Sequence, residues 1–324
     1  MIPAEDFGLV PRCTLELSVD SGGAVLYNRL KLVADVPKFE NPVLIYGFTG
    51  FLEAGHAVRI ATEHILDSVE HEVVAEFDLD AIYDYRARRP RLSFATDHYT
   101  AAELPSLTIS ACRDERGAGF FVLNGVEPDF AWQSVIADVV TFVREVEISL
   151  SVSLLAVPFP SPHTRPVAVT AHANRTELLK GRRSWLGDME VPASMSGLLE
   201  FTLGESGLPA MGFVAHVPHY LASLNHPASA LALTREVSLA TGLLLPTDSL
   251  REAAREADAE LAEQLQASPE NMEGIHQLEA QYDALAAERA GDAEGAAAPI
   301  AADDIAAQVE QFLAQMESRG KGDE

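Results

Sequence analysis

Residues 41–70, NPVLIYGFTGFLEAGHAVRIATEHILDSVE, constrain the fold more than any other stretch. The run 43–46 is apolar without alternation, which suits a strand buried on both faces. Gly47 and Gly50 then make a tight turn. Val58, Ala61, Ile65 and Val69 follow at helical spacing, so a helix packs back on the strand. HEVVAEFD (71–78) supplies the next strand. A strand–helix–strand unit of this size predicts a parallel or mixed sheet with helices on its faces.

The alternation continues. Short strands are predicted at 91–95, 106–113 and 119–124. EPDFAWQSVIADVVTFVREVE (127–147) reads as a helix with Pro128 near its start, and Trp132, Val135, Ile136, Val139 and Val143 share one side. Strands at 148–159, 166–173 and 209–220 are interleaved with helices at 195–206 and 227–244. The pattern predicts an α/β protein with a three-layer α/β/α arrangement.

After Pro246 the composition shifts. The formal net charge of the chain is −26, and residues 251–324 carry 18 acidic against 5 basic residues. This divides the chain into an α/β domain, 1–246, and an acidic helical extension, 247–324. Ser249 and Glu252 form a capping-box pattern, followed by Leu250, Ala254, Ala257, Leu261 and Leu265. A second helix carries Ile275, Leu278, Tyr282 and Leu285, so the two form an antiparallel hairpin. Residues 291–299 read as a linker, and a third helix carries Ile305, Val309, Phe312 and Met316. Packing of these stripes on each other and on the main domain is preferred over a coiled coil with another chain.

The totals exclude several function classes. No apolar run reaches membrane-spanning length, and the N-terminus lacks a basic start and an apolar core, so neither membrane insertion nor secretion is expected. Cys13 and Cys112 are the only cysteines, which suggests a reducing, cytoplasmic setting. So acidic a chain repels phosphate backbones, and nucleic acid is not an expected partner.

Three places hold residues suited to chemistry. The GFTG turn leads into a helix N-terminus, where Gly47, Thr49 and Gly50 offer an anion site; close strand–helix packing is the preferred reading. The packet FDLDAIYDYRARRP (77–90) crowds Arg86, Arg88 and Arg89 among Asp78, Asp80 and Asp84. A self-neutralising cluster that fixes a loop or lies in a subunit interface is preferred there, with an anion site as the alternative. SPHTRP and VPHY place His163, Arg165, His219 and Tyr220 in proline-bounded loops. Cys112 has no His nearby in sequence, no G-x-S-x-G elbow exists, and His216 and His219 have no further ligand, so no nucleophile, metal or cofactor is expected.

Four segments together resemble one family. LIYGFTGFLEAG, FDLDAIYDYRARRP, LNGVEPDFAW, and SPHTRPVAVTAHA with AHVPHYLA resemble, in family order, segments of the proteasome assembly chaperone 2 family, and its bacterial, actinobacterial-type branch fits best. The resemblance implies a phosphorylase/hydrolase-like α/β/α fold with a C-terminal helical extension here. It also implies a non-enzymatic, assembly-chaperone-like protein that forms homo-oligomers, with a trimer favoured, and binds another protein. The alternative is an enzyme or small-anion binder on that scaffold, using Gly47, Thr49, Gly50, Arg86, Arg89, His163 and Arg165. For an interaction protein the candidate surface is Tyr83, Tyr85, His219, Tyr220, Phe312 and Met316. Two departures stand out. Thr49 and Phe51 occupy positions where the family turn usually has Pro and Trp. The sequence ends SRGKGDE, where proteasome-binding relatives often carry a hydrophobic residue, Tyr and one more, so docking in an α-ring pocket by that route is not expected.

Overall fold

A computed structural model describes residues 27–180, 190–266 and 269–291. The apolar run of the glycine-turn segment becomes β2 (Val43–Thr49), fifth in an eight-stranded sheet. In spatial order the sheet is β1 (Leu30–Leu32), β3 (Glu70–Phe77), β6 (Leu107–Arg113), β7 (Gly119–Val126), β2, β8 (Leu150–Phe159), β10 (Ala210–Pro218) and β9 (Val169–Ala173). β2 pairs in parallel with both β7 and β8, and Leu44, Ile45 and Tyr46 are fully buried. A strand covered on both faces has no place for a polar side chain, which is why its sequence does not alternate.

The sheet is mixed. β1 and β6 pair antiparallel with β3, β6 pairs antiparallel with β7, and β9 pairs antiparallel with β10. β2, β3, β7, β8 and β10 therefore share one direction. One face is covered by α1 (Ala57–Ser68) and α5 (Pro227–Thr241), the other by α3 (Trp132–Glu145) and α4 (Met195–Glu205), while the one-turn α2 (Leu79–Ile82) follows β3. This is the three-layer α/β/α arrangement that the alternation predicts. Two further helices, α6 (Asp248–Gln266) and α7 (Pro269–Gly291), follow α5. α6 lies along α5, burying Leu250 and Ala254, with Leu261 against the same core. Phe312, Met316 and the rest of the third predicted helix lie outside the described residues.

Glycine at 47 is a packing requirement. A Cβ there would lie 2.4 Å from Val58 Cγ1 of α1. Gly47→Ala is therefore expected to cost about 1–3 kcal/mol by overpacking the β2–α1 contact. Urea unfolding that leaves the midpoint of this variant unchanged would refute that account.

Several local expectations are corrected. α3 starts at Trp132 rather than near Pro128, because the backbone N–H groups of Asp129 and Phe130 donate to Ile82 O instead of entering a helix. α6 begins at Asp248, with Arg251 N–H donating to Thr247 O, so Ser249 sits inside the helix and not at its cap. β1 and the strand β5 (His98–Glu103) escape the sequence reading: one is a three-residue edge, the other is exposed throughout. Among the described residues β5 pairs only with β4 (Arg91–Ala95), forming a hairpin outside the main sheet.

Candidate functional site

The parallel strands end at the turn 50–56 after β2, the segment 127–131 after β7, the loop 160–166 after β8 and the segment 219–226 after β10. Carboxyl ends of this kind are where open α/β sheets place ligand sites. Here much of the available polarity is met from within the chain. Glu127 follows β7, and its carboxylate accepts Phe51 N–H of the glycine turn at 3.1 Å and Met195 N–H, the first of α4, at 2.8 Å. Gly50 makes room for it, since a Cβ at that position would lie 2.7 Å from Glu127 Oε2. A side-chain carboxylate thus sits where the GFTG turn offers to hold an anion. Thr49 Oγ1 donates to Gly125 O at 3.3 Å.

Two residues on, Asp129 anchors the arginine packet. Its Oδ2 accepts Asp84 N–H and pairs with Arg88 Nη2, each at 2.6 Å. Arg88 Nη2 also donates to Glu127 O at 2.7 Å, and the guanidinium lies 4.3 Å over the Tyr83 ring. The Tyr83 hydroxyl closes the loop by donating to Arg88 O at 2.8 Å. Asp84 turns inward on its own segment, accepting the N–H groups of Arg86 and Ala87, which hold its carboxyl below the usual range. The expected pairing within the packet therefore gives way to a partner 41 residues away. Asp84 is taken up by backbone donors, and Asp78 and Asp80 are exposed. Arg86 and Arg89 are exposed too, and neither forms an ion pair among the described residues.

The other loops meet under the α6–α7 hairpin. The Tyr220 hydroxyl accepts His163 N–H at 2.8 Å and shares a hydrogen bond with His163 Nδ1 at 2.7 Å. Burial lowers the pKa of His163, while Asp258 of α6 and Glu279 of α7 oppose that shift. Arg165 pairs with Asp283 at 2.7 Å and Glu279 at 3.2 Å, Thr164 donates to Glu279, and the Tyr282 hydroxyl donates to Pro166 O at 2.9 Å. Arg165 is thus engaged by α7 rather than by a ligand. His219 stands edge-on to Tyr220, with ring centroids 5.4 Å apart. His226 is buried; its Nδ1 bonds Ser229 Oγ at 2.7 Å and its Nε2 has no partner among the described residues. Burial, with His163 nearby, lowers its pKa to about 4.

Sequence reasoning missed Glu53. It belongs to the tight segment before α1, its side chain is 9% exposed, and Oε1 accepts Arg59 N–H at 3.2 Å. Burial pushes its carboxyl up to about 7. The signal was the quoted "FLEAGH": an acid directly after a glycine turn at a strand's carboxyl end. Cys112 is buried and its thiol is pushed up to about 12, far from a reactive thiolate.

The structure therefore gathers the candidates into two groups. Gly47, Thr49, Gly50, Tyr83, Tyr85, Arg86 and Arg89 belong to the turn and packet that Glu127 and Asp129 tie together. His163, Arg165, His219 and Tyr220 belong to the loops that the helical hairpin covers. Tyr83 is buried, while Tyr85 is half-exposed and edge-on to it at 4.9 Å.

Fold and site together define an α/β/α protein whose carboxyl-end loops are braced by internal carboxylates. The sequence pattern of the PAC2 family matches residues 47–265, and the chain belongs to that family. It is similar to the Mycobacterium tuberculosis protein of unknown function Rv2714, with 38% identity, a TM-score of 0.80, and coverage of 82% of this chain and 92% of that one. A Corynebacterium glutamicum protein of unknown function is 34% identical, with a TM-score of 0.75 and coverage of 79% and 97%. The M. tuberculosis proteasome-assembly chaperone homologue Rv2125 is 26% identical, with a TM-score of 0.65 and coverage of 72% and 99%. No curated protein matches the chain. Among the described residues no helix is long and apolar enough to cross a membrane.

Proposed function

We propose that this protein is a non-enzymatic, assembly-chaperone-like protein that acts as a homo-oligomer and binds another protein. Family membership and the likeness to a proteasome-assembly chaperone homologue support the chaperone-like role. The observation that carries self-association is the β4–β5 hairpin. Every residue of both strands is exposed, including Leu92 at 55%, Phe94 at 60% and Tyr99 at 69%. Phe94 and Tyr99 pack edge-on at 5.2 Å, but nothing else among the described residues covers them. An isolated two-stranded hairpin is marginal in water, and an exposed apolar patch of this kind marks an interface. A second copy of the chain is the partner proposed for it, and the family resemblance favours a trimer.

Light scattering at micromolar concentration and physiological salt, where charge repulsion is screened beyond about 8 Å, is the test. The wild type is expected at about three times 34.9 kDa. The double variant Phe94→Ser, Tyr99→Ser is expected at the monomer mass with unchanged circular dichroism. A wild-type mass of 34.9 kDa would exclude self-association.

The loops under the helical hairpin favour a second reading, an enzyme or small-anion binder. It rests on the unpartnered Nε2 of His226 beside His163 and Tyr220. The bracing of Arg165 by Asp283 and Glu279, and of the glycine turn by Glu127, weighs against an anion there.

A further inference from the structure

The amino ends of β2 and β7 carry a different feature. A cavity of about 450 Å³ opens between the β1–β2 connection and the β6–β7 turn, lined by Lys38, Glu40, Arg113 and Arg116 among others. The chain has 49 acidic residues against 23 Lys and Arg, yet this cleft gathers three cations around one carboxylate among the described residues. None of the three forms an ion pair among the described residues, although acidic partners are abundant in this chain.

The cleft is built, not draped. Arg113 lies 5.0 Å over the Phe39 ring and its Nη1 donates to Gly117 O at 3.2 Å. Phe39 seats there because residue 119 is glycine: a Cβ would lie 2.1 Å from the ring. The ring in turn rests on Phe121, centroids 5.3 Å apart. Arg116 stands on a turn fixed by the buried Asp114, whose carboxylate accepts Arg116 N–H at 2.9 Å, Ala118 N–H at 2.8 Å and Leu244 N–H at 2.9 Å. Burial pushes that carboxyl up, but the three amides and the nearby Arg116 charge hold it below the usual range.

Like charges lining one cleft repel; Arg113 is held in place over Phe39, while Lys38 and Arg116 are exposed. One forked guanidinium suffices for a single carboxylate. Three cations from two segments suit a group with more charge and more oxygens. We propose that this cleft binds a phosphate group, either free or carried on a small molecule. It lies at the opposite end of the strands from the carboxyl-end loops and does not depend on the chaperone reading.

The test is isothermal titration of the full chain with sodium phosphate and with adenosine monophosphate. Sodium chloride at matched ionic strength is the control, because screening alone stabilises so acidic a protein. Saturable binding of phosphate, absent for chloride, is expected. Arg116→Ala and Lys38→Ala should each weaken it about tenfold or more, since each removes a charge-assisted contact. Arg86→Ala, at the other end of the molecule, should not. Equal affinity for both ligands assigns free phosphate; tighter binding of the monophosphate assigns a phosphorylated small molecule. The proposal is overturned if the wild type shows no saturable binding at millimolar phosphate. Binding that survives in both cleft variants, with circular dichroism unchanged, overturns it as well.

Discussion

Glu53→Gln is expected to raise stability by about 3 kcal/mol at pH 8 and to change it little at pH 4.5. The reason is the burial that pushes this carboxyl from 4.5 to about 7. The folded state prefers the neutral acid. Between pH 4.5 and 7 the folded chain holds a proton that the unfolded chain has lost, so stability falls as pH rises. Glutamine keeps the shape and an acceptor for Arg59 N–H but cannot ionise, so the loss disappears.

His226 works in the opposite sense. Its ordinary value of 6.5 falls to about 4 in the fold, where the neutral ring is preferred. Stability from this group is fully present above pH 6.5 and is lost as pH falls toward 4. Each group contributes a slope of about 1.4 kcal/mol per pH unit, and between pH 4.5 and 6.5 the two slopes cancel. The contribution of this pair to the wild-type profile should therefore be flat in that window. Glu53→Gln should gain a rising profile and His226→Gln a falling one. Urea midpoints measured from pH 4 to pH 8 check this. Two single variants that both keep the wild-type profile would mean that neither group is shifted as its burial requires.

The sequence made some of this architecture legible and concealed the rest for a physical reason. β2 could be read because burial on both faces forbids polar residues over several positions in a row. The helices after it could be read because α1 and α3 each bury one stripe. β5 could not: no residue of it is buried, and HYTAAE lacks the alternating Leu92 and Phe94 that made the equally exposed β4 readable. The packet showed that Arg and Asp belong together but not which pair. Asp84 looked the natural partner at short range, yet its carboxylate is consumed by the N–H groups of Arg86 and Ala87. The partner of Arg88 lies in the EPDF segment, brought near by the strand order β3–β6–β7, which local sequence does not encode. Glu127 and Asp129 read as a helix start; in the fold both are struts between loops. Arg165 read as a ligand group for a similar reason, because its carboxylates lie more than a hundred residues on, in α7.

Removing Asp129 is expected to be the most damaging single change in the packet. Its one carboxylate serves both Asp84 N–H and Arg88 Nη2, so Asp129→Ala leaves a backbone donor and a guanidinium short of an acceptor. Losing one partner of a buried pair costs about 3–5 kcal/mol. Here the side chains are 33% and 28% exposed, so water recovers part of that, and about 2 kcal/mol is expected. Arg88→Ala should cost a similar amount, because it also removes the stack on Tyr83 and the bond to Glu127 O. The double variant should cost less than the two losses added, since both single changes break the same contact. Arg86→Ala and Arg89→Ala should stay within about 0.5 kcal/mol of wild type, as exposed residues away from such networks usually do. The packet ends at Pro90, and the apolar hairpin begins at Arg91. A loosened root lets the hairpin swing, so Asp129→Ala should also weaken self-association, read as a lower mass by light scattering at a concentration where the wild type remains assembled. If Arg89→Ala unfolds the protein more readily than Asp129→Ala does, the packet is held by contacts other than this clamp, and the link from clamp to hairpin fails with it.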